Sequence, residues 1–491
     1  MADTVLDHPQ LGPLAGVLLS EGGIQFRNLL YATIPQRWQH SIIVDDLREH
    51  GTPGKPYDAT CFGPMAPQPD GSINFDFGLI QKTLPIKHEI AVDEENYRLG
   101  LLGAVASAEL TPAAEAGNSM FNDQANALRW IKRHVAGFGG DPENVTIMGE
   151  SAGAISLWMQ FLKGEPLFSR GIVMSGDTHL RLPQPLERGE LIYQAVLREL
   201  KADSMSTAER VALLRSLPWH RFVALPQNKR CYPTISGGFD SLEWSPEKGR
   251  AQIMSSLKWC KTLVIGDCEL DATAMLPTLH CPDAHARLRA CLEEAGLLPE
   301  EVDEIFAFYK IDQQTDSIPD STAVNPGIVE LASDIRFHWP VIVEGRMSAN
   351  ANVHVYHFHE PNPFDGPFVG RAGHVLDIAY TLQTYKHLLP PESQRVSEAM
   401  GLYVIGVAHG DLDNADGKPT EAPVTSAVGN GIHNNTSPAK SVLVWDTEHN
   451  CQVLSAEEYD HRFRHHFGQL LDKIDVTKII RGLDLFQGWA V

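Results

Sequence analysis

Residues 145–162 read Val-Thr-Ile-Met-Gly-Glu-Ser-Ala-Gly-Ala-Ile-Ser-Leu-Trp-Met-Gln-Phe-Leu. The apolar residues before Gly149 predict a buried strand, and those after Gly153 predict a helix. Between them stands Gly-Glu-Ser-Ala-Gly, the Gly-x-Ser-x-Gly pattern of a nucleophile elbow, a turn that carries its serine above the edge of a sheet. Such a turn is tight, and we expect it to require glycine at both ends of the motif.

A serine in this turn indicates acyl transfer, in which a serine hydroxyl forms an ester with its substrate. Ser151 is the candidate nucleophile, and Glu150 precedes it in the elbow. The backbone N–H of Ala152 is predicted to face the oxyanion that develops on the substrate. A serine hydroxyl alone is a weak nucleophile, so a histidine base and an acid that orients this base are also required.

Two predicted strands further along the chain are followed by candidates for the acid and the base. The strand at 262–266 leads into Glu269 and Asp271. The strand at 353–358 leads into a glycine-rich loop that contains His374. In folds with an elbow, the order along the chain is serine, acid, histidine. We therefore predict His374 as the base and Asp271 as the acid, with Glu269 as the alternative acid.

The composition of the chain argues against two classes of partner, nucleic acids and anionic membranes. The chain has 491 residues and a formal net charge of −22, and such an acidic surface repels the phosphates of nucleic acids and anionic lipids. Its seven cysteines are scattered, which favours reduced thiols and a cytoplasmic location. The N-terminus lacks the basic and apolar regions of a signal peptide, and no apolar stretch reaches the roughly 20 residues that span a bilayer. We expect neither a nucleic-acid partner nor a transmembrane segment.

Strands and helices are predicted to alternate along the chain. Besides the elements named above, the patterns predict a β-hairpin at 14–33, strands at 171–176 and 442–445, helices at 122–137, 283–311, 371–408 and from about 456, and a long loop at 410–440. Such alternation favours an α/β fold with a doubly wound, mostly parallel central sheet. No linker is recognisable, so residues 1–491 are predicted to form one domain.

Five stretches of the chain are similar to the type-B carboxylesterases, the family that includes cholinesterases and many fungal esterases and lipases. They are Tyr31-Ala-Thr-Ile-Pro35, Gly63-Pro-Met-Ala-Pro-Gln68, Asn96-Tyr-Arg-Leu-Gly100, Asp123-Gln-Ala-Asn-Ala-Leu-Arg-Trp130 and the run from Phe138 to Gly153. The resemblance implies an α/β-hydrolase fold with helical insertions, and hydrolysis of a small-molecule carboxylic ester without a cofactor. By position it also implies Ser151 as nucleophile, His374 as base and Asp271 as acid, where cholinesterase-like members usually carry Glu.

One part of this family's machinery is missing from its expected place. The other oxyanion donors of the family lie in a His-Gly-Gly-Gly-type loop after an inner strand, between the matched stretches that end at Gln68 and begin at Asn96. Residues 69–95 contain no run of glycines and little apolar sequence. We therefore expect an internal deletion near 85–95 that removes an inner strand and this loop.

Two explanations of the deletion lead to different functions. An exon missed in the gene would mean an ordinary Ser-His-Asp esterase, with transfer of the acyl group to an alcohol as a variant reaction. A true truncation would leave a catalytically impaired α/β-hydrolase scaffold that binds a ligand or a protein partner.

The sequence predicts neither a metal site nor a bound cofactor. His357 and His359 alternate along a predicted strand, and His461 and His465 are spaced as i and i+4. No His-Glu-x-x-His motif or cysteine cluster accompanies them. No glycine-rich phosphate loop follows a strand, so a nucleotide cofactor is not expected.

Overall fold

The computed structural model describes most of the chain, in residues 3–20, 22–64, 66–67, 79–81, 97–110, 117–177, 180, 183–226, 233–234, 253, 255–281, 283–311, 324–347, 353–366, 368–383, 385–412, 441–464 and 467–488. The chain divides into two compact units, each discontinuous in sequence. Unit 1 comprises Met1–Thr146, Trp158–Ser169 and Arg181–Trp259, and unit 2 comprises Ile147–Leu157, Arg170–Leu180 and Cys260–Val491. One domain over the whole chain stays a prediction.

Unit 1 contains a small sheet near the N-terminus. Its strands are β1 (Asp3–His8), β2 (Gly12–Leu18), β3 (Ile24–Phe26), β6 (Tyr57–Asp58) and β7 (Leu79–Gln81), of which β1, β2, β3 and β7 are neighbours in that order and β6 lies beside β2. A separate pair is formed by β4 (Ala32–Thr33) and β5 (Ile42–Ile43). The antiparallel pairing of β2 with β3 confirms the predicted N-terminal hairpin.

Among the described residues, six helices lie in the first half of the chain. They are α1 (Gly100–Ala104), α2 (Ser119–His134), α3 (Ala152–Lys163), α4 (Leu186–Glu199), α5 (Thr207–Ser216) and α6 (Trp219–Val223). The helix predicted at 122–137 is confirmed as α2, and a 3₁₀ turn at Val135–Phe138 follows it directly. Trp130 of α2 is buried and donates from Nε1 to the carbonyl of Val44 at 2.9 Å, which ties the helix to the N-terminal segment.

The sheet that carries the elbow has six strands within the described residues. They are β8 (Thr146–Glu150), β9 (Arg170–Met174), β10 (Thr262–Cys268), β11 (Val353–Phe358), β12 (Ser441–Trp445) and β13 (Cys451–Ser455), in the spatial order β13-β12-β11-β10-β9-β8. The strands β9 to β12 pair in parallel, and β13 is antiparallel to β12. The mostly parallel sheet predicted from the sequence is confirmed. β10 is buried at every position, which fits the apolar run from Leu263 to Ile265.

The segment expected to carry a deletion is hardly described. Of residues 69–95, the structure describes only β7. Within the described ranges, β8 is the last strand on its side of the sheet. The predicted loss of an inner strand, most of the loop predicted at 410–440, and His465 all lie outside the described residues.

Helices fill the connections after β10. They are α7 (Leu276–Leu279), α8 (Ala284–Glu294), α9 (Pro299–Phe308), α10 (Pro326–Ser333), α11 (Trp339–Met347), α12 (Leu376–Thr381), α13 (Pro391–His409), α14 (Ala456–Phe463), α15 (Phe467–Lys473) and α16 (Val476–Phe486). A π turn, Asp334–His338, joins α10 directly to α11. An apolar stripe of α13 packs on the sheet through residues at helical spacing, which are Val396, Met400, Tyr403 and Val407. Among the described helices, none combines the length and apolar character needed to cross a membrane.

Candidate active site

Ser151 occupies the sharp turn between β8 and α3. Its φ of 55° lies in the left-handed region, which residues other than glycine usually avoid and which recurs at functional turns. The Ser151 N–H donates to the carbonyl of Met174 on β9 at 2.9 Å, and the Ser151 carbonyl accepts from the Ile155 N–H of α3 at 3.0 Å. The neighbouring strand and helix therefore hold the strained turn from both sides.

The two elbow glycines differ in what their surroundings permit. A Cβ on Gly149 would lie 2.4 Å from the carbonyl carbon of Gly153, which confirms that glycine is required at this position. A Cβ on Gly153 would meet no described atom within 4 Å, so the prediction that both ends of the motif need glycine is wrong there. The reason is that Gly153 already belongs to α3, where its Cβ position opens into free space.

We expect Gly149→Ala to destabilise the fold by about 3 kcal/mol, because the clashing atoms are backbone atoms of a packed turn. Gly153→Ala is expected to be neutral or to stabilise the protein by about 0.5–1 kcal/mol, because alanine is the better helix former. Urea denaturation of the two variants measures the difference. Equal losses of stability would contradict the steric argument.

Asp271 and His374 are brought together by two neighbouring loops. Asp271 lies just after β10, and His374 lies shortly before α12. The loops are joined where the Leu270 N–H donates to the Ala372 carbonyl at 2.8 Å. This backbone contact brings the ends of two separate sequence segments to one place in unit 2.

The imidazole and the carboxylate form a direct hydrogen bond. His374 Nδ1 lies 2.8 Å from Asp271 Oδ1, and Asp271 Oδ2 accepts the Cys268 N–H at 2.8 Å. Asp271 is fully buried, and this burial raises the pKa of its carboxyl, although the hydrogen bond from His374 opposes the rise. An ionised carboxylate only accepts, so the histidine proton sits on Nδ1 and leaves Nε2 available as a base.

Glu269, the alternative acid, has other partners. Its Oε1 accepts from Arg371 Nε at 2.6 Å, and its Oε2 accepts from the Ala372 N–H at 3.2 Å. A guanidinium and a backbone N–H therefore engage both carboxylate oxygens. The structure places Asp271, and not Glu269, on the imidazole of His374.

The elbow also supplies a backbone donor. Ala152 is the first residue of α3, so its N–H is one of the donors that a helix leaves without an acceptor inside the helix. The N-terminus of a helix also carries partial positive charge, which favours an anion. This position suits the predicted role of Ala152 as an oxyanion donor.

The carboxyl group of Glu150 is buried beside His374. The elbow motif alone did not predict this contact. Glu150 Oε1 lies 3.6 Å from His374 Nε2, and neither Glu150 oxygen has a partner of regular hydrogen-bond geometry among the described residues. Burial raises the pKa of Glu150 well above its ordinary value, and the carboxylates of Asp377 and Asp271 add to the rise. Nε2 of His374 therefore lies near the side chain of the elbow residue that precedes Ser151.

Asp377 is a second buried carboxyl group near the histidine. It lies in the first turn of α12 and accepts from Tyr356 Oη at 2.6 Å and from the Ile378 N–H at 2.8 Å. Burial raises its pKa to about 6, and Asp271 contributes to the rise. In the sequence, an acidic residue at the start of a helix is typical of a capping position, and nothing in that pattern indicates burial.

Comparisons with known proteins show which family the chain resembles over most of its length. The chain matches the carboxylesterase family over residues 81–439. The chain belongs to this family. Lipase 3 of Yarrowia lipolytica is 24% identical to the chain over 459 residues, which cover 78% of this carboxylesterase and 84% of that lipase.

Other relatives of this carboxylesterase resemble it over a shorter stretch or in fold alone. Lipase 4 of Diutina rugosa is 37% identical over 130 residues, so the match covers 25% of this chain and only 23% of the length of the lipase. The crystal structure of juvenile hormone esterase from Manduca sexta superposes with a TM-score of 0.67 at 17% identity, over 96% of this chain and 100% of the esterase chain. This superposition confirms the α/β-hydrolase fold.

The buried acids make the stability of this carboxylesterase depend on pH. The folded state keeps the proton of Asp377 up to about pH 6, whereas the unfolded chain releases it near its ordinary pKa of 3.8. The free energy of unfolding therefore falls as the pH rises through this window. Since one pKa unit corresponds to about 1.4 kcal/mol, we expect a loss on the order of 3 kcal/mol between pH 4 and pH 7.

Asp377→Asn is expected to remove this part of the pH dependence, because the amide does not ionise and still accepts from Tyr356. Asp365→Asn changes an exposed carboxylate and serves as the control. Urea denaturation at several pH values measures the effect. If the curve of Asp377→Asn runs parallel to that of the wild type, the assignment of the pH dependence to Asp377 is wrong.

Two further features surround the histidine of this carboxylesterase without a signal in the sequence. The buried ring of Phe337 packs edge-on against the imidazole of His374, with ring centroids 5.4 Å apart. Val375, which follows His374, has a φ of 66°, an unusual value for a β-branched residue. The contact of Phe337 with His374 joins two segments that are separate along the chain.

Among the described residues, two groups of side chains have potential metal-ligand atoms within 4.8 Å of one another. The first group is Glu150, Asp271 and His374, and the second is Asp267, His338 and His357. The first group is the candidate active site itself. In the second group, the histidine Nδ1 atoms lie 2.7 and 2.5 Å from the Asp267 oxygens. These are hydrogen-bond distances, shorter than the roughly 3.3 Å between two ligands of one tetrahedral zinc ion with bonds of about 2.0–2.1 Å.

The histidines whose spacing in the sequence could suit a metal ion lie in other surroundings. His357 lies in the second of these groups, and His359 Nε2 is 2.9 Å from the hydroxyl of Tyr459. His461 is exposed on α14. The structure does not bring these three together as a metal site within the described residues.

Proposed function

We propose that this chain hydrolyses small, uncharged carboxylic esters through Ser151, His374 and Asp271. The observation that carries this proposal is the 2.8 Å hydrogen bond between His374 Nδ1 and the buried Asp271, in a chain whose Ser151 occupies an elbow. Membership of the carboxylesterase family fits the same activity. No cofactor takes part in the proposed reaction.

The proposed reaction has two halves. Ser151 Oγ attacks the ester carbonyl while its proton passes to His374 Nε2, and Asp271 stabilises the imidazolium that forms. The tetrahedral oxyanion accepts a hydrogen bond from the Ala152 N–H. His374 then gives the proton to the departing alcohol, which leaves an acyl ester on Ser151. In the second half, water attacks the acyl carbon while His374 takes a proton from it, and His374 then returns a proton to Ser151 Oγ as the bond to the acyl group breaks and the carboxylic acid leaves.

The number of hydrogen-bond donors in the oxyanion site determines the turnover rate that we propose. Each donor that is lost from such a site lowers turnover on the order of 10²- to 10³-fold. Residues 69–95 contain no run of glycines of the kind that supplies the other oxyanion donors in the type-B carboxylesterases. We therefore propose that turnover is slow, with the Ala152 N–H as the main donor.

Two alternatives concern the same site. A catalytically impaired scaffold, which binds a ligand or a protein partner, is favoured by the sequence of residues 69–95. Transfer of the acyl group to an alcohol uses the same acyl-enzyme and differs only in the acceptor. The cytoplasmic location and the lack of a nucleic-acid partner stay predictions from composition.

A fluorophosphonate probe tests the proposal. An activated serine oxygen attacks the phosphorus of the probe and displaces fluoride, so labelling needs no complete turnover of an ester. We expect mass spectrometry to locate the label on Ser151, and we expect Ser151→Ala to remain unlabelled. Absence of labelling in the wild type, with both proteins folded by circular dichroism, would overturn the esterase proposal and favour the scaffold.

Product analysis separates hydrolysis from acyl transfer. We expect p-nitrophenyl butyrate to yield butyrate both in water and in the presence of a few per cent ethanol. Ethyl butyrate as the main product under the second condition would instead favour transfer. Ser151→Ala, incubated under the same conditions, gives the background of uncatalysed reaction.

A further inference from the structure

A second histidine–carboxylate cluster begins on β10, four residues before Asp271. Asp267 Oδ2 lies 2.7 Å from His338 Nδ1, and Asp267 Oδ1 lies 2.5 Å from His357 Nδ1. All three side chains are buried, and the ring of Tyr459 stacks on His357 with centroids 3.9 Å apart. Asp267 and His357 are register partners on β10 and β11, whereas His338 comes from the π turn. We refer to Asp267, His338 and His357 as the histidine clamp.

The clamp has one arrangement of protons. Burial alone would raise the pKa of Asp267, but His357 and His338 together hold it well below its ordinary value, so the carboxylate accepts. Each histidine must therefore donate from Nδ1. Burial lowers the pKa of His338 to about 3, and its Nε2 has no partner in the described part of the chain. Within the described residues, the hydrogen bond of the His338 ring is thus the one that Nδ1 donates to Asp267.

The clamp anchors the turn that carries Phe337. The segment Asp334–His338 is a π turn within an otherwise α-helical run, and such turns are rare and frequently occur at functional sites. His338 is the last residue of this turn, and Phe337 directly precedes it. The ring of Phe337 packs against His374, with centroids 5.4 Å apart and an interplanar angle of 61°.

The contact with Phe337 complements the contact with Asp271. A single hydrogen bond from His374 Nδ1 to Asp271 leaves the imidazole free to tilt about the axis of that bond. A tilt moves Nε2 away from the elbow, although Nδ1 stays in place. A buried aromatic ring on the face or edge of the imidazole restricts this tilt.

We propose that the histidine clamp positions His374: by anchoring the π turn, it holds Phe337 against the imidazole and keeps Nε2 directed at the elbow. The clamp residues are positioning residues, because they act through Phe337 and touch no reacting atom. A displacement of about 1 Å at a catalytic group can lower the rate on the order of 10²-fold. This inference rests on the proposed ester hydrolysis.

Substitutions in the clamp test the proposal through the kinetics of p-nitrophenyl butyrate hydrolysis. We expect His338→Leu, which removes the donor, to lower kcat about tenfold while KM stays within about twofold, since the base is displaced and the substrate pocket is not. His338→Asn retains an N–H near the position of Nδ1 and is expected to restore kcat to within about threefold. Phe337→Leu should lower kcat by the same factor as His338→Leu. The double variant should have a kcat no lower than that of either single variant.

Arg336→Met is a matched control from the same π turn. Arg336 is also buried, and its Nη2 donates to Asp484 at 2.6 Å and to Gln487 at 2.9 Å. We expect this variant to lower the melting temperature and leave kcat unchanged. Equal losses of kcat in Arg336→Met and His338→Leu, or no recovery in His338→Asn, would reduce the clamp to a structural element and overturn the proposal.

A readout that is independent of turnover separates this proposal from the proposed function. The proton between His374 Nδ1 and Asp271 gives a downfield NMR resonance, which Asp271→Asn identifies by its loss. We expect this resonance to shift or broaden in His338→Leu, and to persist in His338→Asn, even if the wild type hydrolyses no ester. An unchanged resonance in folded His338→Leu would overturn the clamp alone. If His338→Leu does not fold, Phe337→Leu provides the same readout with the same two outcomes.

Discussion

Replacing either Ser151 or His374 by alanine is expected to lower kcat/KM for p-nitrophenyl butyrate by at least about 10⁴-fold. The two variants are expected to have the same residual kcat/KM. In the proposed mechanism the two residues act in a single step, because the hydroxyl attacks only as the imidazole takes its proton. The double variant is therefore expected to be no slower than either single variant. Nitrophenolate release under steady-state conditions measures all three rates.

Matched controls for these variants lie on the surface. Ser216 is exposed and donates to the Leu213 carbonyl of its own helix at 2.9 Å, and His387 is exposed in a 3₁₀ turn. Ser216→Ala and His387→Ala are expected to keep wild-type rates. A double variant slowed by the product of the two single losses would contradict a shared step. A wild type no faster than Ser151→Ala would place any turnover elsewhere in the chain.

Asp271→Asn is expected to lower kcat about 10⁴-fold with little change in fold. The amide carries no charge to stabilise the imidazolium, and its NH₂ group favours the tautomer of His374 with the proton on Nε2. That tautomer cannot accept the proton of Ser151. Rates and melting temperatures of the variant and the wild type test whether the loss is in chemistry and not in folding.

Glu269→Gln is the paired variant for this test, since it removes a carboxylate two residues away on the same loop. Glu269 forms an ion pair with Arg371, whose side chain is 40% exposed, so its loss is expected to cost at most about 1 kcal/mol of stability. We expect kcat to stay within about threefold of the wild type. A large loss of kcat in Glu269→Gln together with a small one in Asp271→Asn would exchange the roles of the two acids.

The elbow and the central sheet could be predicted because they depend on local sequence. A Cβ at Gly149 would collide with the backbone of Gly153 only four residues away, so the motif itself carries the steric requirement. The buried parallel strands appear as short apolar runs, because both faces of such a sheet are covered. The same local logic failed at Gly153, since the helix begins there and the space beside it depends on more distant packing.

The sequence predicted Asp271 as the acid, but it left Glu269 open as the alternative. Asp271 and Glu269 stand on one loop after one strand, and both have carboxylates that suit a histidine. Arg371, about a hundred residues later in the chain, engages Glu269, while Asp271 remains for His374. Side-chain partners that are distant in sequence decide such a choice, and a single sequence contains no record of them.

By itself, the sequence determined the α/β-hydrolase class, the family resemblance and the order of Ser151, Asp271 and His374, because apolar periodicity and glycine sterics act over a few residues. Only the tertiary structure decided which acid meets His374, how deeply Glu150 and Asp377 are buried, and that a histidine clamp lies behind Phe337. These properties depend on strand register and on the π turn, which bring together side chains from distant segments. Their pKa shifts and hydrogen bonds exist only once that packing has excluded water.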